Sequence, residues 1–341
     1  MLGIKITPLT QRRIAKFKAD KKGYWSMWIF LVLFTVSLFS EFLANDKPFI
    51  IRYDNQFYFP IFQSYDETIF GGFLEGEADY KDADLQASIN EKGWMIWPIV
   101  KFNYATIDYS LATTPAPPSS NHWLGTDDHG RDVVARLLYG FRISVLFGLH
   151  LISISSIIGI LAGAIQGYFG GWVDLLGQRF IEIWNSMPYF YLLIIMASII
   201  KPSFWWLLGL MCLFDWTTLV GVVRAEFLKT RNYEYVEAAR ALGVSNWKII
   251  IRHILPNATV SVMTLIPFDI AAAVTALTSL DFIGFGLPPG SPSLGELLAQ
   301  GKANLNAPWL IGSCFVCLGL MLVLLVFTGG SVRNAFDPRS K

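Results

Sequence analysis

Six long apolar runs separated by polar stretches set the pattern of this chain. They extend from Tyr24 to about Leu43, Ile143 to Gln166, Val173 to Ile200, Phe204 to Val223, Ala258 to Phe285, and Trp309 to about Thr328. A helix rises 1.5 Å per residue and needs about 20 residues to cross hydrocarbon, so each run has spanning length. The pattern predicts six transmembrane helices and an all-α polytopic membrane protein. The third run carries Met187-Pro188 at its middle and is expected to kink there, because proline removes a backbone donor and clashes with the preceding turn. Trp25, Trp28, Trp172, Trp205, Trp206 and Trp309 sit near the run ends, where amphipathic rings anchor at the membrane interface.

Composition agrees with this class. Apolar residues make up 53% and charged residues 16% of 341, and the mean hydropathy is +0.45, too apolar for a soluble domain of this size. The net charge of +1 is uninformative, but its distribution orients the chain. Lys5, Arg12, Arg13, Lys16, Lys18, Lys21 and Lys22 precede the first run against one acid, Asp20, which places that end in the cytoplasm. Arg333, Arg339 and Lys341 follow the sixth run on the same side. Arg224, Lys229, Arg231, Arg240, Lys248 and Arg252 mark the island between runs four and five as cytoplasmic too. Residues 41–130 hold fourteen acids and five Lys or Arg, which suits the outer face. No small-x-small cleavage site follows the first run, since Phe42 stands two residues before Ala44, so this run reads as an uncleaved anchor.

The island carries Tyr235-Val-Glu-Ala-Ala-Arg-Ala-Leu-Gly243 and, further on, Arg252-His-Ile-Leu-Pro-Asn257. Small and apolar side chains on a helical turn allow another backbone to approach. Gly243 suits a left-handed helix stop, and Pro256 is expected to end the segment that follows. This pattern resembles the cytoplasmic coupling motif of ABC importer permeases, with Glu237, Ala238, Ala239, Gly243, Leu255 and Pro256 in the matching places. His253, where many members carry Ile, resembles the peptide and nickel branch. His122-Trp-Leu-Gly-Thr-Asp-Asp-His-Gly-Arg-Asp132, running on to Ser144, resembles the C-type subunits of that branch, and Gly284-Phe-Gly-Leu-Pro-Pro-Gly-Ser-Pro-Ser293, with Leu294-Gly295 after it, resembles the family's loop after the fifth span. In the His122 segment Leu124–Asp127 reads as a turn, and Arg131-Asp132 as the start of an amphipathic helix lying along the outer membrane surface.

The loop at 45–120 is longer than the family's common form and rich in aromatic and acidic residues, which argues against disorder. Ala44-Asn-Asp-Lys-Pro48, Arg52-Tyr-Asp54, Tyr58-Phe-Pro60, Phe70-Gly-Gly72, Ala78-Asp-Tyr80 and Gly93-Trp94 resemble the permeases of microcin C importers (the YejE-type subunit) more than the dipeptide or nickel permeases.

The resemblance implies the type I ABC importer permease fold: a six-helix subunit with a long periplasmic loop after helix 1, in a bacterial inner membrane. It also implies a binding-protein-dependent importer of oligopeptides and peptide-like compounds such as microcin C. The implied partners are a second permease subunit forming a heterodimer, ATP-binding subunits, a periplasmic substrate-binding protein and membrane lipid, with no nucleic acid. The expected organisation is a basic tail at 1–23, a first helix at 24–44, and a periplasmic loop with rim helix at 45–142. A five-helix core follows at 143–328, with coupling helices at about 226–256, and then a tail at 329–341.

No ATPase is expected on this chain. Gly295-Glu-Leu-Leu-Ala-Gln-Gly-Lys-Ala303 imitates a phosphate loop, but five residues separate the glycines instead of four, and Ala303 stands where Ser or Thr would hold magnesium. ATP and magnesium therefore belong to partner subunits. No catalytic, cofactor or metal residue is assigned. His122, Asp127, Asp128, His129 and Asp132 fit no established ligand spacing and read as a structural girdle. Cys314-Phe-Val-Cys317 has redox spacing within an apolar run and reads as packing. An intramembrane protease using His150 with Ser144 or Ser153, and a passive channel, are the rival readings. Among charges inside the runs, Asp269 beside Pro267 faces either the passage or a neighbouring subunit. Asp215 is a further in-run acid, while Asp281 and Glu182, nearer the run ends, read as structural.

Overall fold

The computed structural model describes residues 8–73 and 75–337; Lys5, Arg339 and Lys341 lie outside the described residues. In chain order, α1 (Pro8–Ala19) and α2 (Lys21–Leu38) precede a single turn, α3 (Ser40–Leu43). An extramembrane segment follows with β1 (Ile50–Tyr53), β2 (Gln56–Tyr58), a 3-10 turn at Glu67–Phe70, α4 (Ala83–Lys92) and β3 (Gly93–Ile96). Then come α5 (Val133–Phe169), α6 (Gly171–Asn185), α7 (Tyr189–Ile199), α8 (Phe204–Thr230) and α9 (Glu234–Ala241). The chain closes with α10 (Asn246–Ile249), a π turn at Ile250–Ile254, α11 (Leu255–Met263), α12 (Ile266–Phe282), α13 (Leu294–Ala303) and α14 (Pro308–Phe336). Two compact units result. One holds residues up to Leu31, Val145–Pro288 and Gly319 onward; the other holds Val32–Ser144 and Pro289–Leu318.

Among the described residues α5, α8 and α14 are each long and apolar enough to cross a membrane. Two bent pairs, α6–α7 and the α10–α11 helix with α12, bring the number to five if each pair is one span. The expected first span falls on α2, which opens on Lys21 and Lys22 and breaks at Phe39, and so falls short of the others in length and apolarity. The third run kinks where expected, by 64° across Ser186–Pro188. The fifth run does not form one helix over 258–285. It breaks at Thr264–Leu265 with a 52° bend, because Pro267 in the first turn of α12 cannot continue the preceding ladder.

In the first unit, one apolar cluster joins Ala164 and Tyr168 of α5, Leu219, Val223 and Phe227 of α8, and the inward residues of α9–α11. A second joins Phe147 and Leu151 to Leu193, Leu207, Leu208, Met211 and Leu277. Gly23 lies so close to α14 that a Cβ there would strike Ser331, whose hydroxyl donates to Asp20, the lone acid of the basic N-terminal segment.

The second unit corrects the all-α expectation. Residues 50–96 form a three-stranded antiparallel sheet in the order β2-β1-β3, capped by α4. Ile51 and Tyr53 point inward and Arg52 outward, the period-two alternation of a half-buried strand. Asp54 and Asn55 both adopt positive φ between β1 and β2, as a two-residue hairpin requires. Asp82 caps α4 by accepting from the Asp84 and Leu85 backbone N–H groups, and Leu85 and Ile89 close the core with Phe70 and Tyr80.

The rim helix is also corrected. Among the described residues, Arg131-Asp132 opens no helix separate from the second run, because α5 starts at Val133 and continues unbroken for 37 residues to Phe169. No proline interrupts it, and its glycines serve close packing.

Candidate functional site

The island between α8 and α12 is a helical hairpin whose inner face is apolar. Tyr233 precedes α9, and Gly243 takes φ of 77° directly after the Leu242 cap, the left-handed stop expected from the sequence. Pro256 does not end the following segment. It sits in the first turn of α11, and Asn246 to Met263 forms one helix that absorbs the missing proline donor through the Ile250–Ile254 π turn.

Burial separates the six motif residues. Ala239 is buried with Val236, Ile249, Ile250 and Ile254 against Tyr168 and Phe227, and so supports the island from within. Leu255 is half-buried, while Glu237, Ala238, Gly243 and Pro256 are exposed. The large apolar side chains left outside are Leu242 (83% exposed), Ile251 (60%) and Trp247 (57%), joined by Tyr233 and Tyr235. Sequence reasoning missed Trp247 and Ile251. Their signal is that apolar positions continue around the helix beyond the face that α8 covers.

The island is tied to the helices above it by polar contacts. Tyr168 Oη donates to Asn246 Oδ1 at 2.8 Å, and Arg231 Nη1 donates to the Gly167 and Tyr168 carbonyls. Arg224 pairs with Asp174.

The His122–Asp132 segment is a charge cluster. Asp127 accepts the His129 and Arg131 backbone N–H groups at 2.9 Å and the Arg131 guanidinium at 2.6 Å. Arg136 is fully buried; its Nε lies 3.4 Å from Asp127, and it donates to Glu296 at 3.0 Å and to the Ser291 carbonyl. Glu296 thus bridges Arg131 and Arg136, so the glycine-flanked segment that imitates a phosphate loop supplies a counter-ion from within a helix. A buried guanidinium stripped of its carboxylate is destabilising by about 3–5 kcal/mol. Asp127, Asp128 and His129 present ligand atoms within 4.8 Å of one another, but the arginines already occupy Asp127.

His122 is buried between Asp132 (Nδ1, 2.8 Å) and Asp108 (Nε2, 3.1 Å) and lies against Phe102. Burial disfavours its charged form, yet the two carboxylates outweigh burial and raise its pKa. Burial pushes the neighbouring Lys81 down to about 8, although the surrounding aspartates oppose the shift.

Other sequence candidates are placed as follows. His150 Nδ1 donates to the Leu146 carbonyl and Ser153 to the Leu149 carbonyl, each back onto its own helix, so neither serves the other as nucleophile or base. Cys314 and Cys317 are free thiols on α14, and Cys314 donates to the Leu294 carbonyl. Asp281 accepts the Leu287 N–H in the turn after α12, and Glu182 pairs with Arg179 on the surface of α6. Asp269 is half-buried in the first turn of α12. It is absent from the wall of the cavity formed by α6, α7, α8 and α12, whose lining includes Asp215.

Residues 156–341 match the family described as "Binding-protein-dependent transport system inner membrane component". The chain is 55% identical over 335 residues, 98% of both chains, to the inner membrane ABC transporter permease protein YejE of Escherichia coli K12. It is 54% identical to the peptidoglycan transport system permease protein YejE of Agrobacterium fabrum C58, over 98% of this chain and 94% of that one. The oligopeptide transport system permease protein OppC of Mycobacterium tuberculosis H37Rv is 36% identical over 72% of this chain and 84% of its own. A solved inward-facing MetNI methionine ABC transporter chain shares the fold over 60% of this chain and 98% of that one, at TM-score 0.50 and 17% identity. By the profile match over its second half and by near-full-length identity to such permeases, this chain belongs to the family of inner membrane components of binding-protein-dependent transport systems.

Proposed function

We propose that this chain is a permease subunit of an ABC importer for oligopeptides and peptide-like compounds such as microcin C. It forms half of the translocation pathway beside a second, similar permease. A periplasmic binding protein delivers substrate, and partner ATPase subunits, which carry the ATP and magnesium, drive alternating access. The relatives' names, which include peptide, oligopeptide and peptidoglycan transport, support the substrate class. The proposed topology has six spans, with α2 as the first, both tails and the α9–α11 island in the cytoplasm, and the 45–120 insertion in the periplasm. The charge asymmetry supports that orientation. Asp269 is proposed to face the passage.

The observation that carries the coupling role is the exposed apolar rim of the island. Leu242, Trp247 and Ile251 stay outside although an apolar core lies directly beneath them, a surplus expected where a partner covers them. Glu237, Ala238 and Gly243 lie on the same hairpin as direct contacts, with Pro256 exposed in the first turn of α11, while Ala239 and the half-buried Leu255 shape it from within. Ala238→Glu and Leu242→Asp place charge on that rim without touching the buried face. Each is expected to leave the chain inserted at normal abundance, to reduce co-purification of the ATPase at least tenfold, and to abolish ATP-driven uptake. Normal uptake by either variant removes the docking role, and flux without nucleotide favours a channel.

A further inference from the structure

The break between α6 and α7 opens a cavity. It ends α6 at Asn185 and starts α7 at Tyr189, and both residues line a space of about 360 Å³ that α8 and α12 close. Among the described residues Asp215 of α8 is the only carboxylate in its wall, beside Asn185, Thr217 and Thr218. Opposite, α12 contributes only the small side chains Ala272, Ala273 and Ala276. The Thr217 hydroxyl lies 3.0 Å from Asn185 Oδ1 at the break and 2.9 Å from the Phe214 carbonyl, and shares its one proton between them. Among the described residues no lysine, arginine or histidine lines the cavity.

A carboxylate among apolar helices is expensive unless it faces a passage or gains a partner, and here the wall holds no cation to serve. A bent helix that brings a few polar groups into an otherwise apolar wall is also the arrangement that membrane transporters use to hold cargo. We propose that this cavity receives a cationic amino group of the passing substrate, with Asp215 as its counter-ion and Asn185, Thr217 and Thr218 as its polar surround. The proposal rests on the peptide-import reading for the identity of that amine, the N-terminal ammonium of an oligopeptide. The volume lies at the lower end of small-molecule sites, about 300–1,000 Å³, and so suits one end of a peptide instead of its whole length.

Two measurements on the assembled importer test it. In a chain whose native cysteines are replaced by alanine, Thr218→Cys should react at least tenfold faster with a cationic methanethiosulfonate than with an anionic one. Asp215→Asn should erase that preference and Asp215→Glu should keep it. Equal rates with Asp215 present overturn the proposal. In proteoliposomes, Asp215→Asn should cut ATP-driven uptake of a tripeptide with a free amino terminus about tenfold, and that of its N-acetyl form much less, each relative to the unmutated importer. Equal losses overturn the amine assignment. If the unmutated importer moves neither peptide while the reagent preference holds, the cation site stands and the peptide reading fails.

Discussion

Gly159, Gly163 and Gly167 stand one turn apart on α5, and a Cβ on each would meet the backbone of α8: Trp216 O at 2.7 Å, Val220 O at 2.9 Å and Arg224 O at 2.7 Å. The absent side chains let two helices touch main chain to main chain, where lipid offers no hydrophobic drive to hold them. Gly163→Leu therefore has to push α5 from α8 and is expected to cost about 1–3 kcal/mol, lowering the thermal midpoint in detergent by several degrees. Gly209→Leu is the control, because nothing lies within 4 Å of a Cβ there. Equal drops in the two variants would show that added bulk, and not the contact, is responsible. The glycine spacing is legible in the sequence, but the neighbour it faces is not. Gly243 was fully legible, since a glycine after an amphipathic turn signals a left-handed stop whatever surrounds it. Asp215 was not: in the sequence it ranks with Asp269, Asp281 and Glu182, and only the α6–α7 break sets it in a cavity.

The insertion shows what short elements hide. Its strands are three or four residues long, too brief for alternation to declare itself, and its many aromatic residues divide between two fates. Tyr53, Phe70 and Tyr80 fill its core, while Phe57 (58%) and Phe73 (99%) remain exposed. The segment departs and returns at one place, where Ala44 bridges Val100 and backbone bonds join Asn45 and Leu43 to Val100. With its own core and adjoining ends, it should be removable. Replacing Lys47–Pro98 by Gly-Ser is expected to leave the permease pair assembled and to reduce stimulation of the ATPase by loaded binding protein at least fivefold. Failure of the pair to assemble would make the insertion a structural cap, and unchanged stimulation would remove it from substrate delivery. Element boundaries elsewhere followed backbone chemistry: Pro188 broke a helix as read, whereas Pro256 and Pro267 fell in first turns, where the missing N–H is tolerated.

For the whole molecule, the apolar runs and the charge asymmetry carried the reading, because bilayer thickness and the placement of basic residues constrain any such chain. Exposed reporters follow from the structure: Ser64 in the insertion and Ala241 at the end of α9. In intact cells with a cysteine-free background, an impermeant thiol reagent should label Ser64→Cys and miss Ala241→Cys; the reverse pattern sinks the orientation.

The glycine seam between α5 and α8 bears on how such a subunit changes shape. A contact made of backbone has no rotamers to freeze when it forms and none to regain when it opens, so thermal motion gains little by loosening it. Two helices joined in this way travel as one body. Bending during a transport cycle then concentrates where the ladder is already interrupted, at Ser186–Pro188 and Thr264–Leu265. Both hinges adjoin helices that wall the Asp215 cavity, so a change at either angle reshapes the cavity while the seam beside it keeps its length.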